Sequence, residues 1–251
     1  MITEFSDQAF SGRGLPYFDE KTRIIFPPVE SSTPEGIVMA GGNLSPGMLL
    51  SAYRQGIFPW YSEGDPVLWW SPDPRCVLFP AEVHISGSMR KLIRKNRFRI
   101  TLDTCFREVI TACRETPRVG QDGTWITVDM LEAYVGLHEH GYAHSVEVWS
   151  GAGLAGGLYG VSLGCCFFAE SMFTWTVNAS KYALISLARI MEKMSFGLID
   201  CQVFSPHLET MGARMIPRGE FLPRLKECLK NETKKGSWEH WPGGVHGDPA
   251  Q

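Results

Sequence analysis

Apolar residues at Phe106, Val109, Ile110 and Cys113 repeat at the spacing of one helix face and predict an amphipathic helix over 105–114. The same period in Ala183, Leu184, Leu187 and Ile190 predicts a longer helix over 179–194, with Asn178 as N-cap and Gly197 beyond its end. Ser45-Pro46 supplies an N-cap and a first helical proline, and Gly56 closes that helix. Residues 86–95 form a basic helix. Thr127 caps another helix ending at Gly141, a short one lies near His207, and a last one starts at Glu220. Alternating or continuous apolar runs predict strands at 76–79, 98–102, 144–149, 154–159, 162–173 (bent at Gly164), 198–204 and 214–216. That order gives an α/β (α+β) fold with a mostly antiparallel sheet and one parallel crossover. Residues 1–74 are expected to form a small N-terminal α/β domain and 75–230 a larger one. Residues 231–251 lack periodicity and are expected to be a mobile tail.

Between Tyr53 and Arg75 the pattern breaks. Tyr53, Phe58, Trp60, Tyr61, Trp69 and Trp70 stand among Gly56, Pro59, Gly64, Pro66, Pro72 and Pro74. Prolines and glycines at that density exclude a long helix or a central strand. The rings are either anchors holding a loop to its domain or a surface for a planar partner such as a nucleotide base.

The chain has 251 residues, 44% hydrophobic and 20% charged, which is a globular composition with enough length for a substantial core. The start MITEFSDQAF carries no signal-peptide pattern, and no apolar stretch approaches the roughly 20 residues that cross a bilayer. Seven cysteines with no C-x-x-C pair suit a reducing cytosol, so a cytoplasmic protein without a membrane anchor is expected. The net charge of −3 conceals a local basic face, Arg90, Lys91, Arg94, Lys95, Arg97 and Arg99. Such a face is either solvated helix surface or a phosphate-binding patch.

His138, His140 and His144 straddle a helix end without matching cysteine or carboxylate spacing, so no metal is expected. Residues 151–156 match G-x-G-x-x-G, but Gly156, Gly157 and Gly160 would break the helix that must follow, and the stretch reads as strand. Asp200 and Gln202 alternate on a strand, so both point to one face about 7 Å apart, with Cys201 opposite. They fit an acid/base and orienting pair, or equally a polar cross-strand pair. Glu170 sits inside an aromatic and methionine run, where a carboxylate is costly unless it is paired or used. No G-x-S-x-G elbow or Walker loop is present.

Taken in order, Gly41-Gly42-Asn43-Leu44-Ser45-Pro46, Tyr53-Arg54-Gln55-Gly56-Ile57-Phe58-Pro59-Trp60, Leu68-Trp69-Trp70-Ser71-Pro72-Asp73-Pro74-Arg75, Thr124-Trp125-Ile126-Thr127, Glu170-Ser171-Met172-Phe173 and Asp200-Cys201-Gln202 resemble the leucyl/phenylalanyl-tRNA–protein transferases. The resemblance runs from about Phe26 to Phe221. It implies a larger domain similar to the GNAT acyltransferases, and a reaction that moves Leu or Phe, Met less so, from aminoacyl-tRNA to proteins with N-terminal Lys or Arg, marking them for degradation. It implies no cofactor and no metal, because the ester is already activated, and a monomer is expected. By the resemblance Gln202, oriented by Asp200, holds the attacking amine, while Glu170 and Asp200 offer negative charge to the cationic acceptor. Leu158, Phe167, Met172 and Leu187 match the pocket for the donor side chain. Trp60 and Trp125 match the positions that flank the terminal adenosine, and Lys91, Arg94 and Lys95 match the cluster facing the acceptor stem. Trp69 and Trp70 are expected to anchor the aromatic loop. Asn43, Gly87 and Trp175 depart from residues more usual in the family. The competing readings are a coenzyme-A-dependent N-acyltransferase and a non-catalytic tRNA-binding protein. The former needs a glycine-rich turn before a helix, and residues 172–177 before Asn178 contain no glycine.

Overall fold

The computed structural model describes residues 16–117 and 124–241 and the backbone of residues 2–4. Its elements run β1 (Ile2–Glu4), β2 (Arg23–Ile25), β3 (Ile37–Ala40), α1 (Pro46–Arg54), β4 (Phe58–Pro59), β5 (Leu68–Trp70), β6 (Arg75–Leu78), α2 (Gly87–Arg94), β7 (Arg99–Leu102), α3 (Phe106–Glu115), α4 (Val128–Glu139), β8 (Ala143–Ser150), β9 (Gly153–Leu163), β10 (Cys166–Thr174), α5 (Ala179–Lys193), β11 (Leu198–Gln202), α6 (Pro206–Glu209), β12 (Arg214–Ile216) and α7 (Arg218–Cys228). The main sheet has the order β12-β6-β11-β10-β9-β8-β7. Its neighbours are antiparallel except β10 and β11, which α5 joins as a parallel crossover. This is a mixed α/β fold with the mostly antiparallel sheet that the element order implies.

Two helical layers cover the sheet. Alternation along the strands sends Tyr159, Val161 and Phe168 towards α1, α3 and α4, and Leu158, Phe167 and Ile199 towards α5. Removing each such side chain from water stabilises the fold by roughly 1.5–3 kcal/mol. β9 must be glycine-rich because a Cβ on Gly160 would lie 2.1 Å from the Phe168 carbonyl oxygen. The run expected as one bent strand is two. Gly164, at φ 58°, turns the chain between β9 and β10, and its hydrogen atom faces the Cys228 carbonyl where a Cβ would collide.

The aromatic segment is less loop-like than its prolines imply. β5 is the central strand of a small sheet, β3-β5-β4. It contains no proline; Pro66 and Pro72 lie outside it, and Pro59 sits on edge strand β4, where a missing donor is tolerated. Trp69 is fully buried, and its indole N–H donates to the Gly41 carbonyl at 2.8 Å. Trp70 is half-buried and donates to the Trp60 carbonyl at 2.6 Å.

The segment after α7 is not loose as far as Trp241. Trp238 is 1% exposed, stacks on His144 at 3.6 Å and on Trp241 at 4.1 Å, and its backbone N–H donates to Asp103 Oδ2. A segment without periodicity is tied down by one large aromatic and one buried carboxylate. The remainder of the expected tail lies outside the described residues. His144 and His138 are likewise absorbed by packing, His138 lying flat on Phe106 at 4.4 Å.

Candidate active site

The site opens where β10 and β11 stop pairing. They run in register through Cys166↔Leu198, Phe167↔Ile199 and Phe168↔Asp200, and pair no further. Both strands are irregular just beyond. β10 shifts register against β9 between Ala169 and Ser171, leaving Glu170 as the extra residue. β11 shifts against β6 between Asp200 and Gln202, leaving Cys201 as the extra residue, and Gln202 takes the left-handed φ of 64°. The two bulges re-aim side chains that regular strands would have buried in the layers.

Glu170 and Gln202 meet across this opening, with Gln202 Nε2 donating to Glu170 Oε1 at 2.7 Å. Tyr53 of α1 donates to the same oxygen at 2.8 Å, and Tyr134 of α4 to Oε2 at 3.0 Å; the two hydroxyls also touch each other. Burial raises the Glu170 carboxyl to about 7, against the pull of its three donors. The hydrogen-bonded, buried tyrosines have their own pKa values raised further, by burial first and by the Glu170 charge second.

Asp200 does not line this opening. Its side chain is fully buried, and Arg75 takes both oxygens, Nε to Oδ1 at 2.8 Å and Nη2 to Oδ2 at 2.7 Å. Oδ1 also accepts the Gln202 backbone N–H at 2.9 Å. As the alternation expects, Cys201 lies on the α5 side of the sheet, while Asp200 meets Arg75 between Phe58 and Phe221, and the Gln202 amide meets Glu170 beside Tyr53 and Tyr134, all on the other side. Cys201 and Gln202 line the cavity and Asp200 does not. Asp200 thus pairs its charge with Arg75 and holds the Gln202 backbone. That guanidinium lies between the rings of Phe58 and Phe221, 4.7 Å from each centroid.

The cavity is about 540 Å³. Leu158, Ala169 and Met172 form an apolar wall, Glu170 and Gln202 face in, Phe58, Pro59, Trp60 and Trp125 form one rim, and Val203, Phe204, His207 and Leu208 form another. Of the expected donor pocket, Leu158 and Met172 line this space. Phe167 and Leu187 do not; both are fully buried in the cluster that contains Leu158, packed between the sheet and α5. Trp60 and Trp125 line it and also border a second cavity of about 690 Å³. Lys91, Arg94 and Lys95 are exposed on α2, away from the cavity lining. Among the departures, Asn43 Oδ1 accepts from the Ser45 backbone and hydroxyl at 3.0 and 2.6 Å, a role a carboxylate would also fill. Gly87 has open space around it, and Trp175 is 59% exposed.

Tyr134 and His207 lie outside the resembling segments, and Tyr53 and Arg75 stand in them without a mark of their own role. The tyrosines sit at ordinary core positions of amphipathic helices, and nothing local distinguishes a ring whose hydroxyl reaches a carboxylate.

Comparison with known proteins adds independent findings. A family model described as leucyl/phenylalanyl-tRNA protein transferase matches residues 77–226, and its N-terminal domain model matches residues 42–73. The chain is 56% identical over 219 residues (87% of this chain, 92% of the relative) to a leucyl/phenylalanyl-tRNA–protein transferase of Syntrophus aciditrophicus. Proteins of the same name from Nitrosomonas europaea and Myxococcus xanthus are 54% and 51% identical, covering 87% and 90% of this chain and 94% and 95% of their own lengths.

Proposed function

The chain belongs to the leucyl/phenylalanyl-tRNA–protein transferase family, and from that membership we propose that it joins Leu or Phe, and Met less well, from aminoacyl-tRNA to proteins with an N-terminal Lys or Arg, creating a degradation signal. The observation that carries the reading is the Glu170–Gln202 pair facing the apolar wall of Leu158, Ala169 and Met172 in one cavity.

The donor side chain fits against Leu158 and Met172. Leu, Phe and Met fill such a wall, and a charged side chain would lose its hydration there. The adenine lies by Trp60 and Trp125, and the acceptor stem follows the phosphate contacts of Lys91, Arg94 and Lys95, which give affinity without reading sequence. The acceptor's α-amine is held by the Gln202 amide oxygen, whose NH₂ is already committed to Glu170. Its nitrogen attacks the ester carbonyl carbon; the C–N bond forms and the bond to the ribose oxygen breaks. Glu170, with its carboxyl near 7, accepts the amine proton and returns it to the ribose oxygen. Asp200 holds the Gln202 backbone in its left-handed turn. Holding amine and ester together supplies much of the acceleration.

The test mixes labelled Phe-tRNA with a peptide beginning in Arg. Transfer of Phe to the peptide N-terminus is the expected result. No transfer, or transfer of an acyl group from acetyl-coenzyme A alone, would overturn the proposal.

A further inference from the structure

The cavity's two rims differ in character. One carries Trp60 and Trp125; the other is the chain that follows Gln202, with Val203, Phe204, His207 and Leu208. Val203 and Phe204 are 41% and 50% exposed although both are large and apolar. They are held out because β11 ends at Gln202 and the Val203 N–H turns back to the Cys201 carbonyl at 2.8 Å. His207 Nε2 is enclosed yet has no hydrogen-bonding partner among the described residues. Its burial, and then the Lys181 charge, lower the imidazole's pKa. Exposed apolar surface and an orphaned ring nitrogen both cost the free protein stability, and both are satisfied by a ligand carrying an apolar side chain on a polar main chain.

We propose that Val203, Phe204 and Leu208 form a subsite for the side chain of the acceptor's second residue, with His207 Nε2 bonding the acceptor main chain. This rests on the transfer reading above. An acceptor whose α-amine sits at Gln202 has its next Cα about 3.8 Å further on. Val203 and Phe204 follow Gln202 directly, and their apolar surface suits an apolar second side chain rather than the cationic first one. The donor enters by the tryptophan rim. Acceptors with Leu or Phe in second place are therefore favoured over Gly.

The test measures transfer from Phe-tRNA to matched peptides Arg-Leu, Arg-Phe and Arg-Gly, with kcat and KM separated. The expected wild-type preference for Leu or Phe over Gly is about five-fold in kcat/KM, carried by KM. In Phe204→Ser, an exposed position, that ratio falls to about one. His207→Ala raises the peptide KM by a similar factor for all three peptides and leaves the KM for Phe-tRNA in place. Equal wild-type kcat/KM for the three peptides would overturn the subsite, as would a Phe204→Ser ratio like that of wild type. A His207→Ala effect on the tRNA KM alone would assign this rim to the donor and also overturn it. Absence of transfer to any peptide by the wild type would overturn the transfer reading and the subsite with it.

Discussion

Arg75 and Asp200 form a fully buried bidentate pair at 2.7–2.8 Å, and the same carboxylate holds the backbone N–H of Gln202. Removing one partner of such a pair leaves a buried, uncompensated charge, so Asp200→Ala should cost about 3–5 kcal/mol of stability. Arg75→Met combined with Asp200→Ala removes both charges and should restore much of that loss. It should not restore turnover, because Gln202 still lacks the anchor for its left-handed backbone. Urea unfolding and kcat on the single and double variants check this. A double variant that regains both stability and kcat would show that Asp200 acts only through folding.

Glu170 makes a prediction in pH. Its carboxyl is raised to about 7 in the folded chain from an ordinary 4.5, so the folded state holds its proton where the unfolded state has lost it. Stability therefore falls as pH rises from about 4.5 to 7, by about 3 kcal/mol in all. His144, lowered by burial from its ordinary 6.5, works in the opposite sense, so the comparison is wild type against Glu170→Gln. The variant should lose the downward slope. In kcat/KM, the wild type should rise through about pH 7, while Glu170→Gln retains only the limb of the acceptor amine near 8. Parallel stability curves, or an unchanged limb near 7, would refute the assignment.

How much of this is legible in the sequence follows from range. Periodicity locates the helices and strands because each element carries its own apolar stripe. The bulges at Glu170 and Cys201 are not legible, since they depend on registers set by β9 and β6. The period of two still puts Asp200 and Cys201 on opposite faces; what it cannot give is the left-handed turn from which the Gln202 amide reaches Glu170. Glu170 is visible as a carboxylate among apolar neighbours, but its tyrosine partners come from 117 and 36 residues away and carry no local mark. Phe167 and Leu187 resemble pocket residues in type; only the packing of α5 on the sheet puts them in the core.

That distinction is measurable. Met172 lines the cavity, and Leu187 is fully buried without reaching it. Met172→Ala should change the ratio of Leu to Phe transfer by several-fold with a modest change in stability. Leu187→Ala should cost about 2–5 kcal/mol and leave the donor ratio in place. Competition between Leu-tRNA and Phe-tRNA, paired with thermal melting, separates the two. A shifted donor ratio in Leu187→Ala at low temperature would return that residue to the pocket wall.

Lys91 and Arg94 are exposed on α2, so their removal should leave the fold alone. If they meet phosphates, Lys91→Ala with Arg94→Ala weakens tRNA binding and lowers the slope of log K against log salt by about 0.7–0.9 for each phosphate no longer neutralised. kcat at saturating tRNA should change little. Filter binding across a salt series reads the slope; identical slopes for wild type and double variant would count against a phosphate-binding role.

The C-terminal segment makes the last prediction. Trp238 is almost wholly buried, covers the His144 ring, and is fixed by Asp103, whose carboxylate also holds His144 Nδ1 at 2.9 Å. Ending the chain after Lys230 would uncover that ring and leave Asp103 with an unused lone pair in the core. The loss should be about 3–5 kcal/mol, as for deleting a buried tryptophan, and Trp238→Ala should reproduce most of it. Ending the chain after Trp241 keeps Trp238, its stacking partners and its Asp103 bond, and should leave the melting temperature near that of wild type. Melting curves for the three variants decide between a seated strap and a loose tail; a chain ended after Lys230 that melts like wild type would mean that Trp238 contributes nothing to stability.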